Sequence, residues 1–117
     1  MTASLLSLPL PKARTSASHQ DHQQWGHLQG SSRALAVAQA SQQAQKPLVL
    51  VTADTPSALK LEKEIRYFLG NDASNTPVTL FPDWETLPYD TFSPHQDIIS
   101  QRLETLFRLT QDPTGIF

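Results

Sequence analysis

A hydroxyl residue followed by proline occurs at two predicted helix starts in this chain. This repeated pattern constrains the fold more than any other feature. Thr55-Pro56 follows the apolar run 48–52, LVLVT, and Ser93-Pro94 opens a later helix. A hydroxyl at a helix N-cap accepts a free backbone N–H, and proline fits the first helical position because an N–H there has no partner. The pattern predicts short strands alternating with helices.

Helical periodicity follows both starts. After Thr55, four apolar residues recur on one face of a helix that Gly70-Asn71 ends: Ala58, Leu61, Ile65 and Phe68. In the later helix, Gln96 stands where a capping-box partner of the N-cap belongs, and Asp97 complements the positive end of the helix dipole. The predicted apolar stripe of this helix consists of Ile99, Leu103, Leu106 and Phe107.

An alanine- and glutamine-rich segment upstream completes the predicted elements. Residues 31–45 form a third helix with three residues at helical spacing, Leu35, Ala38 and Gln42. The runs 48–52 and 78–81 are predicted strands, and 116–117 resembles a strand just begun. The predicted fold class is therefore α/β, a small parallel-sheet domain with flanking helices that is truncated at its C-terminus.

Composition limits how the chain can be organised into domains and excludes several functions. The 117 residues carry 9 basic and 11 acidic side chains, a net charge of −2, so strong direct DNA binding is not expected. There is no cysteine, and no apolar run is long enough to span a membrane, so a cytoplasmic protein is expected. Residues 1–24 are predicted to be a flexible tail because they offer no apolar face, and 25–117 one globular unit.

A close resemblance covers residues 81–103. There, PDWETLPYD, a short spacer and SPHQDIIS-x-RL follow one another, and this order is similar to a signature near the start of bacterial transcription-repair coupling factors, the Mfd family. A weaker resemblance covers KPLVLVTADTPSALKLEKEI, where that family and the excision-repair protein UvrB carry a strand followed by a helix. The resemblance implies a RecA/helicase-like fold, similar to UvrB domain 1a, in residues 25–117.

The same resemblance implies a function for the parent protein. It would be an ATP-dependent DNA translocase that displaces stalled RNA polymerase and recruits UvrA, with ATP and Mg as cofactors of its motor domains. The motor motifs do not occur in this chain, for which we expect no catalysis, no cofactor and no metal. Its implied partners are the remainder of the coupling factor and, through the parent, UvrA and RNA polymerase. The alternatives are a stand-alone protein-interaction domain or an independent nucleotide-binding domain.

The resemblance also implies a degenerate nucleotide site at the start of the first helix. A phosphate-binding loop needs two glycines, a lysine for the phosphates and a hydroxyl for Mg²⁺ in the order G-x-x-x-x-G-K-[ST]. With Arg33 in the place of the lysine, all four required residues are absent. The site is assigned to Gly30, Ser31, Ser32, Arg33 and Ala34. Two interpretations of this segment stay open. It is either an ordinary loop that leads into a helix or a weak anion site formed by backbone N–H groups and Arg33.

The family signature loop leaves two interpretations open. It consists of Asp83, Trp84, Glu85, Leu87, Pro88, Tyr89 and Asp90. Together with Phe92, its apolar side chains either fold back as a structural cap on the core or leave Trp84 and Tyr89 exposed as docking anchors. The capping interpretation is favoured because Pro82 and Pro88 stiffen the loop.

Other polar groups give no chemistry at the sequence level. The carboxylates of Asp83, Glu85, Asp90 and Asp97 have no nucleophile or base at an organising spacing, so Asp90 is predicted to bind local backbone in a turn. A metal site is not predicted from the histidines either, because their spacing matches no known ligand scheme: His19, His22, His27 and His95.

Overall fold

Three helices form the regular structure of the residues that the computed structural model describes, 24–44, 46–70, 75–112 and 114–117. They are α1 (Ser32–Gln43), α2 (Thr55–Leu69) and α3 (Gln96–Gln111). Helix α1 packs against α2. The alanines Ala34 and Ala38 of α1 are buried with Ile65 and Leu69 of α2. Small side chains on α1 thus allow the two helices to approach closely.

The predicted α/β parallel-sheet fold class is wrong. Within the described ranges the chain has three helices and no strand, so the fold is helical. Pairing between extended segments is limited to two isolated parallel bridges, Leu48 with Ile116 and Val78 with Ile116. Pro47 and Pro77 directly precede these bridges, and because proline has no backbone N–H, neither can donate a further hydrogen bond on that side of its bridge.

Ile116 nevertheless ties the extended segments together. Its N–H donates to the Pro77 carbonyl at 2.8 Å, and its carbonyl accepts from the N–H of Thr79 at 2.8 Å. On the other side, Leu48 donates to the Gly115 carbonyl at 2.9 Å and accepts from Phe117 N–H at 2.8 Å. The Ile116 side chain is buried in the core with Val78. The segment 114–117 is therefore held from both sides.

Helix α2 packs with its predicted apolar face toward the core, but its N-cap lies at a different residue from the predicted one. Ile65 is buried and Ala58, Leu61 and Phe68 are half-buried, as their periodicity predicted. Gly70 ends the helix with a φ of 52°, which confirms its predicted role; Asn71 lies outside the described residues.

The N-caps of α2 and α3 lie at different residues from those predicted. The cap of α2 is Asp54, not Thr55, because the Asp54 carboxylate accepts the N–H of Ser57 at 2.7 Å. The cap of α3 is His95, not Ser93, and its Nδ1 accepts the N–H of Asp97 at 3.3 Å. In each case another side-chain acceptor takes a free N–H of the first turn: Asp54 lies one residue before the predicted cap of α2, and His95 lies two residues after the predicted cap of α3.

The Asp54 cap makes a prediction about pH. The pKa of Asp54 lies below its ordinary value of 3.8 because Ser57 donates hydrogen bonds to the charged form. A depressed pKa in the folded state stabilises the fold above the ordinary value, and the contribution is lost as the pH falls through the folded-state pKa. We expect Asp54→Ala to unfold more easily than the native chain at pH 7.

The measurement is urea unfolding of the native chain and Asp54→Ala between pH 7 and pH 2. The gap between their midpoints should shrink as the carboxylate becomes protonated. Asp54→Asn is the control, since it keeps a capping oxygen without the charge. A gap that stays constant down to pH 2 would show that the charged cap does not contribute as described.

Helix α3 buries a different face from the predicted one. Leu103, Leu106 and Phe107 are exposed, Leu103 to 62%, so the predicted apolar stripe is wrong for these three; Ile99 is half-buried. The inward face instead carries Arg102 and Thr105, and Thr105 is 2% exposed. Its hydroxyl contacts the carbonyls of Gln101 at 2.9 Å and Leu80 at 3.4 Å. Polar contacts to segment 80–82 accompany this orientation, and the half-buried Ile98 and Leu109 lie on the same face of the helix.

Candidate functional site

The signature loop is attached to α3 by one arginine. The Arg102 guanidinium lies over the Phe81 ring at 4.0 Å and over the Trp84 ring at 4.3 Å. Arg102 Nη1 also donates to the carbonyl of Pro82. A guanidinium between two aromatic faces gains cation–π attraction while its N–H groups stay free to donate. The first part of the loop is thereby fixed to the helix.

The second part of the loop is a closed turn. The N–H of Leu87 donates to the Asp90 carboxylate at 2.8 Å, and the N–H of Asp90 donates to the Leu87 carbonyl at 3.1 Å. These bonds confirm the predicted role of Asp90 in a turn. Between them, Pro88 has a restricted φ. The turn is therefore set by its own residues and needs no partner to form.

Neither interpretation, structural cap or docking anchor, describes all the apolar side chains of the loop. Trp84 stacks on Arg102 and is 40% exposed, so it is neither a buried cap nor a free anchor. Leu87, Tyr89 and Phe92 point to solvent, with Tyr89 97% exposed. The signature loop with its flanking residues thus joins an attached half, residues 81–84, to an exposed half, residues 87–92, which we call the exposed turn.

Glu85 lies at the junction of these halves with a φ of 59°. A non-glycine residue in this region costs about 1–3 kcal/mol and persists where its surroundings hold it. On one side, Asp83 accepts the N–H of Trp84 at 2.8 Å, and on the other the closed turn begins at Leu87. The left-handed backbone at Glu85 therefore separates the attached half from the exposed turn.

Arg102 was missed in the sequence analysis, although it belongs to the same signature as the loop. The available signal was a basic residue near the middle of the helix that follows an aromatic loop. We expect Arg102→Gln to lower the free energy of unfolding by about 1–3 kcal/mol, since it removes both cation–π contacts and the bond to Pro82.

Tryptophan fluorescence during denaturant unfolding measures this loss, in a Trp25→Phe background that leaves Trp84 as the reporter. Arg102→Lys is the matched control, because it keeps the charge but loses the planar group that stacks on two rings. An unfolding midpoint unchanged in Arg102→Gln would mean that the stacked arginine does not hold the loop.

The predicted nucleotide site forms the entrance to α1. Ser32 begins the helix and donates through its hydroxyl to the Gln29 carbonyl at 2.6 Å, while Ser31 at the N-cap makes no side-chain cap bond. Ala34 is buried in the core, so it cannot contact a ligand. Gly30 has a φ of 56° and Arg33 is exposed.

A cavity of about 520 Å³ lies beside this entrance. Gly30 and Arg33 line it, together with Trp25, Thr52 and Lys60. Lys60 on α2 was not part of the predicted site. The lining carries two cations, Arg33 and Lys60, and one carboxylate, Glu64, while the positions for the phosphate-binding lysine and the Mg²⁺ hydroxyl remain Arg33 and Ala34.

Two further features carry no chemistry. An apolar groove of about 390 Å³ lies between α2, α3 and the extended segments, and Val51, Leu80, Leu106 and Phe117 are among its lining residues. In the described part of the chain, no three His, Asp or Glu side chains lie together as a metal site would require. His19 and His22, and the predicted tail except Gln24, lie outside the described residues.

Three relatives place the chain among known proteins. It is 48% identical over 97 residues to the transcription-repair-coupling factor of Haemophilus influenzae, which covers 83% of this chain and 8% of that protein. It is 44% identical over 91 residues to the transcription-repair-coupling factor of Escherichia coli, covering 78% of this chain and 8% of that protein. A third relative with the same name, from Myxococcus xanthus, is 35% identical over 86 residues. No family model matches the chain.

The chain thus corresponds to a small segment of long bacterial proteins, since it spans about 8% of the length of the first two relatives. It belongs to the transcription-repair coupling factor family as a fragment of such a protein. None of the helices in the described ranges is long and apolar enough to cross a membrane.

Proposed function

We propose that this chain is a non-catalytic structural and interaction module of a transcription-repair coupling factor, which acts in DNA repair in the cytoplasm. The family relationship supports the parent. The parent would couple removal of stalled RNA polymerase to nucleotide excision repair, using ATP and Mg in its motor domains and recruiting UvrA. The module itself would bind no cofactor.

One observation carries the non-catalytic role. At the entrance to α1, the positions that would cradle a nucleotide triphosphate hold Ser31, Ser32, Arg33 and Ala34, and the last of these is buried. No lysine or hydroxyl therefore stands where Mg-nucleotide chemistry needs one. The structured features of the module are instead its helical core and its signature loop, which are means of packing and contact.

A further part of the proposal is that the module binds neither DNA nor UvrA tightly by itself, and the net charge of −2 supports the part that concerns DNA. A pull-down series with residues 1–117, DNA and UvrA tests this directly. We expect no retention at moderate salt. Retention of UvrA by these residues alone, resistant to that salt, would assign the contact surface to this module and contradict the proposal.

A further inference from the structure

We infer that the exposed turn, residues 87–92, docks on a basic surface elsewhere in the same coupling-factor polypeptide. The inference rests on the proposed function in one respect, that the module works inside the long protein. Its observations are independent of the nucleotide site. They are the rigidity of the turn, its side chains, its charge and its size.

Rigidity comes first, because a preorganised loop loses little conformational entropy on binding. The hydrogen bonds between Leu87 and Asp90 close the turn. The stacked Arg102 holds the attached half of the loop, which leads to the turn. The side chains that this frame presents are Leu87, Tyr89 and Phe92, all exposed. Ring side chains on a fixed backbone are typical of binding anchors.

Charge selects the class of partner. The exposed turn carries one carboxylate, Asp90, and three more flank it at Asp83, Glu85 and Asp97, with no lysine or arginine among residues 83–97. All four residues are exposed. A surface of this sign repels a phosphate backbone and an anionic membrane, whereas it attracts a protein surface rich in lysine and arginine.

Size favours a partner in the same polypeptide. Three apolar side chains bury on the order of 500 Å² in total, by the area that an aromatic side chain provides. A stable interface between separate proteins needs about 800 Å² on each side. Within one polypeptide the local concentration is about millimolar, so a smaller patch suffices. Most of the family's polypeptide lies beyond the 8% that this segment spans, and provides the surface.

Photo-cross-linking in the full-length coupling factor that contains this segment tests the inference. One variant carries Tyr89→p-benzoylphenylalanine, and the matched control carries Tyr67→p-benzoylphenylalanine. Tyr67 is also exposed, to 81%, but lies on α2 away from the turn. Cross-linked peptides are identified by mass spectrometry at low and at high salt.

We expect position 89 to cross-link within the polypeptide to one lysine- and arginine-rich stretch, at least tenfold more often than position 67, with a lower yield at high salt. A yield equal to that of position 67 would overturn the inference. Cross-links that form only between two copies, or only to added RNA polymerase or DNA, would also overturn it. A target stretch without basic residues would do the same.

Failure of this inference is distinguishable from failure of the proposed function. Absence of the cross-link, together with absence of ATP-Mg binding by the module, overturns the docking alone. A cross-link of the expected kind in a module that binds ATP-Mg overturns the non-catalytic role alone.

Discussion

Gly115→Ala is expected to lower the free energy of unfolding by about 3 kcal/mol or more, from left-handed backbone strain and overpacking together. Gly115 has a φ of 101°, a conformation that side chains other than glycine rarely adopt. An alanine Cβ there would lie 2.4 Å from the Pro77 carbonyl oxygen. That oxygen accepts the N–H of Ile116, so relief of the clash must disturb the bridge at Val78.

Two glycine controls separate the causes, with stability measured by denaturant unfolding. Gly70→Ala meets nothing within 4 Å but has a φ of 52°, so it should cost about 1–3 kcal/mol from strain alone. Gly26→Ala has neither a positive φ nor a neighbour within 4 Å and should be nearly neutral. Equal effects at Gly115 and Gly70 would mean that contact with Pro77 contributes nothing.

The second large effect is expected at Ile65, where truncation to alanine should cost about 2–5 kcal/mol, the usual penalty for a cavity in a core. Ile65 is 1% exposed and lies in the cluster that joins α1, α2 and Ile116. The burial of this side chain therefore stabilises both the helix pair and the held segment 114–117.

Leu103→Ala is the matched control for Ile65→Ala, an aliphatic truncation on another helix at an exposed position. It should change the free energy of unfolding by less than about 0.5 kcal/mol. Chemical denaturation of both variants provides the comparison. A cost at Leu103 equal to that at Ile65 would contradict the orientation of α3 and restore the face that hydrophobic spacing predicts.

The contrast between α2 and α3 shows what the sequence could predict. On α2 the apolar residues at helical spacing face the core, so periodicity sufficed to identify Ile65. On α3 the same reasoning selected Leu103 and Phe107, which are exposed. Carbonyls of segment 80–82 need donors, and Arg102 and Thr105 supply them. Periodicity cannot detect such long-range polar partners.

The predicted sheet failed for a related reason. The runs after Pro47 and Pro77 have strand composition, and both contain residues with extended pairing. Each pairing is a single bridge to Ile116, however, so these described residues form no strand. Composition predicts extended backbone, but the length of a ladder depends on partners distant in sequence.

The candidate site was predictable in part. Residues 83–90 were identified from a family signature, and the turn-forming role of Asp90 was predicted from its chemistry. The division of the loop into an attached and an exposed half was not predictable. It depends on Arg102, twenty residues after Pro82, and on the positive φ of Glu85, for which the sequence has no glycine as a signal.

Titration calorimetry of residues 1–117 with ATP and Mg²⁺ tests the central claim, that this module is non-catalytic, most directly. The account predicts no saturable heat up to millimolar nucleotide, because Arg33 and Ala34 stand where a lysine and a Mg²⁺-binding hydroxyl are required. A Mg²⁺-dependent dissociation constant in the micromolar range, which corresponds to about −8 kcal/mol, would contradict it.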